Sequence, residues 1–326
     1  MPQMSIPYAV GRIRVLQRDM LDKTRLERLL SAASFTEAQK ALSEIGWANV
    51  EGTDYEQASL KHVEKACKLV RAITPEPGIT DCFLLRYDIH NLKTLLKSRA
   101  LGEKAAYLSE CGTLPVSLLA HAVAEHSYKK LPPVLREAME ALEKHLAVQP
   151  DAMEIDIRLD HAMYHMVFQE LQNEKAPLVL QYFKARVDIL NAVMLLRAKA
   201  MGRDGTFLKS VLIAGGTHSM ETWQNTAQNT EKLPRLLGAY GHSVVSAAQD
   251  ALLDSGKLPA LEKAMDDALL SLFTPYRMAP LSLEPVIGYL LAAEREAAAV
   301  RLILAGKANG FSPEAIRERM RELYGR

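Results

Sequence analysis

A seventeen-residue pattern occurs twice in this chain, one hundred positions apart, and a worn third copy follows. The first copy runs from Arg86 to Gly102 (RYDIHNLKTLLKSRALG) and the second from Arg186 to Gly202 (RVDILNAVMLLRAKAMG). Arg86, Asp88, Ile89, Asn91, Leu95, Leu96, Ala100 and Gly102 recur at Arg186, Asp188, Ile189, Asn191, Leu195, Leu196, Ala200 and Gly202. Aligning Gly310 with Gly102 gives the third copy. There Glu296 takes the Asp position, Ile303 and Leu304 match the leucine pair, and Arg301 and Lys307 match Lys93 and Arg99. Weaker echoes follow the copies: Cys111-Gly112-Thr113 answers Gly215-Gly216-Thr217, and Lys130-Leu131-Pro132 answers Lys232-Leu233-Pro234. Self-similarity at a fixed period marks one supersecondary unit used repeatedly, an architecture of scaffolds more often than of enzymes. The pattern predicts three helical modules, over 1–112, 113–215 and 216–326.

The fold class predicted is all-α. Leucines fall three and four apart, and alternation of apolar with polar residues is rare. Thr53-x-x-Glu56 and Ser34-x-x-Glu37 read as capping boxes. Ser312-Pro313-Glu314 reads as a cap, a first-turn proline and a first-turn acid. Gly102, Gly202 and Gly310 each follow a last turn carrying Lys or Arg, the signature of a helix end. Helices are predicted over 11–31, 36–45, 54–73, 80–101, 115–127, 133–147, 152–172, 177–201, 219–227, 241–254, 258–273, 283–308 and 313–324.

Within the first copy, Leu84, Asp88, Asn91 and Leu95 form one stripe. The acid and amide therefore lie in line with core leucines. Buried there, each must find partners, or cost about 1–3 kcal/mol. The expectation is a polar clamp tying each long helix to its neighbour, made of Arg86, Asp88 and Asn91, then Arg186, Asp188 and Asn191, then Glu296 and Arg301. A metal site would need ligands that converge, and module-related positions lie apart.

Composition excludes several function classes. Forty basic and 39 acidic residues give a net charge of +1, with no global field suited to nucleic acid. Three cysteines without a C-x-x-C fit a reducing cytoplasm and argue against a disulfide or zinc scaffold. The N-terminus is not expected to act as a signal peptide, and no apolar stretch is long enough to span a bilayer. There is no G-x-x-x-x-G-K-[ST], G-x-S-x-G or G-x-G-x-x-G. His161-x-x-x-His165 lacks a third zinc ligand, and Asp266-Asp267 lacks the fifth acid of a magnesium motif; both read as helix faces. The C-terminal arginines 317, 319 and 321 alternate with Glu314, Glu318 and Glu322 at pairing distance. No cofactor or metal is expected.

Three stretches carry a family resemblance. Tyr8-x-x-Gly11-Arg12-Ile13-Arg14 with Met20-Leu21 is similar to an opening Y-x-x-A-R-x-R and a downstream L-L, with Gly11 and Met20 as departures. Arg86 to Leu92 and Arg186 to Asn191 are similar to two copies of R-x-D-x-x-N-L, and Glu294-Arg295-Glu296 with Val300-Arg301-Leu302 to an E-x-E-x-x-x-V-R/L-x-L ending. In their order and spacing these resemble the C subunit of archaeal and bacterial V-type (A-type) ATPases and ATP synthases, related to the d subunit of the eukaryotic enzyme. The resemblance runs from about Tyr8 to Tyr324. It implies three helical modules in a pseudo-threefold funnel, on the cytoplasmic face of the membrane's proteolipid ring. The funnel receives the shaft, made of the D and F subunits, and transmits torque without hydrolysing ATP. Membrane contact is implied only through the ring. The competing readings are an all-helical enzyme using Asp88, Asp188 or Asp266 on a metal-bound substrate, and a generic helical-repeat adaptor.

Overall fold

The computed structural model describes residues 5–47, 54–173 and 176–324. Among these, 75% are helical and none is in a strand. The α-helices, in chain order, are α1 (Ile6–Leu16), α2 (Lys23–Ser31), α3 (Phe35–Glu44), α4 (Tyr55–Ile73), α5 (Pro77–Leu101), α6 (Val116–Ala124), α7 (Pro133–Leu146), α8 (Ala152–Asn173) and α9 (Pro177–Ala200). They continue as α10 (Gly205–Val211), α11 (Met220–Gln228), α12 (Leu233–Leu236), α13 (His242–Leu253), α14 (Leu258–Ser271), α15 (Glu284–Ala308) and α16 (Pro313–Arg319).

The chain folds as two compact units. One joins Met1–Thr80 to Asp266–Arg326, and the other is Asp81–Met265. In the first, α15 is the central helix: α1, α3, α4 and α16 all pack on it. In the second, α9 is bordered by α8, α10 and α11, and α7 packs on α8. Fourteen of the 24 residues of α9 and fifteen of the 25 of α15 are buried. A helix apolar on nearly every side belongs inside, so α9 and α15 are axes around which the core of each unit assembles.

Local chemistry sets most of the ends. Ser34 Oγ accepts from Glu37 N, while the Glu37 carboxylate accepts from Ala33 N, so the box closes one residue earlier than a strict reciprocal pair. Ser312 Oγ caps α16 through Ala315 N. The other predicted box starts at Thr53, which lies outside the described residues; Asp54 caps α4 through Gln57 N. Gly102, Gly202 and Gly310 all adopt positive φ (68°, 62° and 70°). Behind each, the next residue's N–H reaches back into the last turn, to the carbonyls of Ser98, Ala198 and Gly306, which is the Schellman closure.

Two predicted helices come out differently. The segment 11–31 starts earlier, at Ile6, and breaks at 17–22, with Asp22 capping α2. Segment 313–324 ends at Arg319.

Candidate functional site

Three long helices repeat one internal spacing. Pro77, Pro177 and Pro285 open α5, α9 and α15; Asp88, Asp188 and Glu296 follow eleven residues later; Arg99, Lys199 and Lys307 follow eleven later again. Eleven residues are just over three helical turns, so acid and cation share a stripe, about 16 Å apart along the axis.

Each acid closes a loop. Asp88 Oδ2 accepts from Thr113 N (2.8 Å) and Thr113 Oγ1 (2.7 Å), and Oδ1 accepts from Leu114 N (3.1 Å). Asp188 Oδ2 accepts from Thr217 N (2.9 Å) and Tyr240 Oη (2.6 Å), and Oδ1 from His218 N (3.3 Å). Burial and this bond to Asp188 push the Tyr240 phenol up, which keeps it a donor. Glu296 accepts from Leu21 N and pairs with His62 Nε2 at 3.1 Å; His62 in turn stacks on Trp47. All three acids are buried.

The asparagines complete the first two copies. Asn91 donates to Ser109 O and accepts from Ser109 N, both at 2.8 Å. Asn191 does the same with Ile213, again at 2.8 Å twice. The side-chain amide stands in for a missing strand partner. Gly112 and Gly216 are required here: a Cβ on either would overlap the carboxylate oxygen of Asp88 or Asp188.

Each cation holds the far end of the helix that the loop begins. Arg99 donates to Val123 O near the end of α6, at 2.8 Å. Lys199 reaches Thr230 Oγ1 just beyond α11, at 2.8 Å. Lys307 donates to Leu30 O at 2.8 Å and to Ala32 O, at the end of α2. The helices α2, α6 and α11 are each nine residues long, or about 13 Å. The long helix thus brackets a short one, acid at its positive end and cation at its negative end, the arrangement a helix dipole favours. This interlock appears three times. In the third, the bracketed helix α2 comes from the N-terminal part of the chain.

The predicted clamp residues divide. Asp88, Asn91, Asp188, Asn191 and Glu296 hold loop backbone, and Glu296 also ties α15 to its neighbour α4 through His62. Arg301 lies exposed, 3.4 Å from Glu56. Arg86 and Arg186 line a cavity of about 240 Å³ with Lys93, Asp160, Tyr164 and Tyr182. Lys93 is paired with Asp160 at 2.7 Å, and burial pushes the Tyr164 phenol up to about 12. Tyr8 and Arg12 are exposed on α1, and Arg14 donates to Met278 O at 2.6 Å. Asp266 and Asp267 are not a solvated face: Arg321 binds Asp266 at 2.6 Å, and Glu322 N donates to Asp267. Arg317 pairs with Glu27 rather than within its own helix. The acids named for the enzymatic reading, Asp88, Asp188 and Asp266, each serve a different partner.

Sequence reasoning missed the cation's role and the closure by α2, although the 11-and-11 spacing from proline to acid to cation is readable in all three copies. A model of the ATP synthase (C/AC39) subunit matches residues 9–319. The chain belongs to this family. It is the family of a structural subunit rather than a catalytic one. The A-type ATP synthase C subunit of Thermococcus kodakarensis is 25% identical over an alignment covering 95% of this chain and 89% of that one. That of Methanosarcina barkeri is also 25% identical, covering 96% and 92%. The V-type sodium ATPase C subunit of Enterococcus hirae is 25% identical, covering 83% of each. No helix among the described residues is long and apolar enough to cross a membrane.

Proposed function

We propose that this chain is a non-catalytic central-stalk component of a V/A-type ATPase or ATP synthase, a socket between the D and F shaft subunits and the membrane proteolipid ring. It works at the cytoplasmic face and passes torque from one to the other. The observation that carries the reading is the threefold interlock in a chain of the C/AC39 family. A part loaded by a rotating shaft needs modules that do not shear. Each interlock fixes the start of a short helix with bonds to a buried acid, which are costly to break singly, and its far end through the cation. The recurrence of the interlock supports the reading of three modules around a funnel; in the third, the bracketed helix α2 comes from the N-terminal part of the chain. With a net charge of +1, attraction to the shaft comes from local patches.

The test is binding of a purified D–F shaft to the full chain without nucleotide, by titration calorimetry, with a pull-down from membranes beside it. Saturable binding weakened moderately by salt, with recovery of ATPase subunits, is expected. Absence of both sinks the socket reading. A truncation near residue 215 is a poor probe, because it removes α15, on which α1, α3 and α4 pack; loss of the wall and loss of the fold would look alike.

A further inference from the structure

The unit formed by the two chain ends carries a surface that the socket reading does not use. Of the twelve exposed large hydrophobic side chains among the described residues, five lie on two short segments: Tyr8 and Val15 on α1, and Tyr276, Met278 and Leu281 on the 274–283 connection. The Arg14–Met278 bond joins the two segments. On α1, Ala9, Val10 and Ile13 face inward. Tyr8, Arg12 and Val15 are four and three apart and form one outward stripe.

The charge on these two segments has one sign. Residues 5–18 hold Arg12, Arg14 and Arg18 with no acid, and residues 274–283 hold Arg277 with no acid. That is four arginines and no carboxylate in a chain whose total is +1. Among the described residues, none of the four makes an ion pair; Arg14 spends one nitrogen on a carbonyl. The nearby acids in the sequence are Asp19, Asp22 and Glu284, and Asp22 is engaged in capping α2.

We propose that this face rests on an anionic phospholipid surface. Guanidinium groups match phosphate oxygens in pairs. Tyrosine, methionine and leucine side chains interleaved with arginines suit the boundary between headgroups and acyl chains, where an apolar tip sinks while the charge stays wet. No helix among the described residues spans a bilayer, so the contact lies flat on the membrane. An acidic protein would satisfy the arginines equally well. A row of exposed apolar side chains without a shaped groove favours the lipid surface. The inference is independent of the socket, since it needs no other protein.

The test is co-sedimentation of the purified full chain with vesicles of phosphatidylcholine alone, and with about a third phosphatidylglycerol. Binding to the anionic vesicles only, released by salt, is expected. Each arginine at the surface contributes about fivefold, so Arg12→Gln with Arg18→Gln should weaken binding about 25-fold. Leu281→Glu should also weaken it, while Lys104→Gln, an exposed control on the other unit, should not. All are exposed positions, and an unchanged melting temperature certifies the fold. No binding to anionic vesicles, equal binding to neutral ones, or full binding by the variants overturns the proposal. If vesicles fail to bind and the variants instead lose an acidic partner protein in pull-downs, the face is a protein contact and the lipid reading is wrong.

Discussion

At Asp88 one side chain satisfies two backbone N–H groups and a hydroxyl of a single loop, and at Asp188 the third donor is Tyr240 instead. Replacing either acid with alanine strands those donors in the interior. A loss of about 1–3 kcal/mol is expected for Asp88→Ala and for Asp188→Ala, read as a lower denaturant midpoint, with no intrinsic activity to lose. Retained stability with a lost activity would revive the enzymatic reading. Gly112→Ala should cost a similar amount, about 1–3 kcal/mol, because the added methyl meets a carboxylate that is pinned by its own bonds. A pH effect belongs to this scale too. Burial works against the Glu143 carboxylate, but hydrogen bonds from Tyr128, Arg99 and His126 outweigh it and hold its pKa below the ordinary glutamate value. A depressed acid contributes stability above its unfolded value, about 4.3, and loses it as pH falls through the folded value. Melting temperature should therefore drop between about pH 4.3 and lower values, and Glu143→Gln should flatten that part of the profile. The acids and amides were legible because the stripe placed them among leucines. Their partners were not, since a loop N–H eighteen to thirty residues away leaves no local signal.

At the scale of elements, the bracketing of a nine-residue helix explains why such short segments hold. Isolated helices of this length are marginal in water. Here the acid and the cation of a long helix supply both ends. Lys307→Met removes the donor to Leu30 O and Ala32 O and should cost about 0.3–1 kcal/mol, with faster amide exchange confined to the last turn of α2. Uniform exchange change across α2, or none, would mean that the cation does not act as a cap. Long elements were readable from leucine periodicity, capping serines and terminal glycines; the α5, α9 and α15 ends fall within a few residues of expectation. The break between α1 and α2 was not. Within it Leu21 N donates to Glu296, 275 positions away, and Asp22 caps α2, while a periodic pattern of apolar residues runs straight through the segment. The end of α16 at Arg319 has a related origin, because Arg321 and Glu322 are drawn to Asp266 and Asp267.

At the scale of the whole molecule, the two chain ends depend on each other. Helix α15 is buried on nearly all sides, and its covering helices α1, α3 and α4 belong to the first eighty residues. Its acid and its cation both bind N-terminal backbone, at Leu21, Leu30 and Ala32. Without that half, fifteen buried residues of α15, mostly apolar, would face water along with an unpaired glutamate. By contrast, α5 to α14 include two complete interlocks, with acid, loop, short helix and cation all between residues 77 and 271. A fragment 77–271 keeps both boundary helices whole, and should be helical by circular dichroism and melt cooperatively. The fragment 272–326 alone should be largely unstructured. Adding a separate 1–76 fragment should restore its helicity in a one-to-one complex, since the interlock needs no covalent link between acid and loop. Amide spectra of labelled 272–326, with and without the N-terminal fragment, decide the matter. A dispersed spectrum of 272–326 by itself would show that α15 finds its fold locally, and that the third interlock is an ornament on a module already formed.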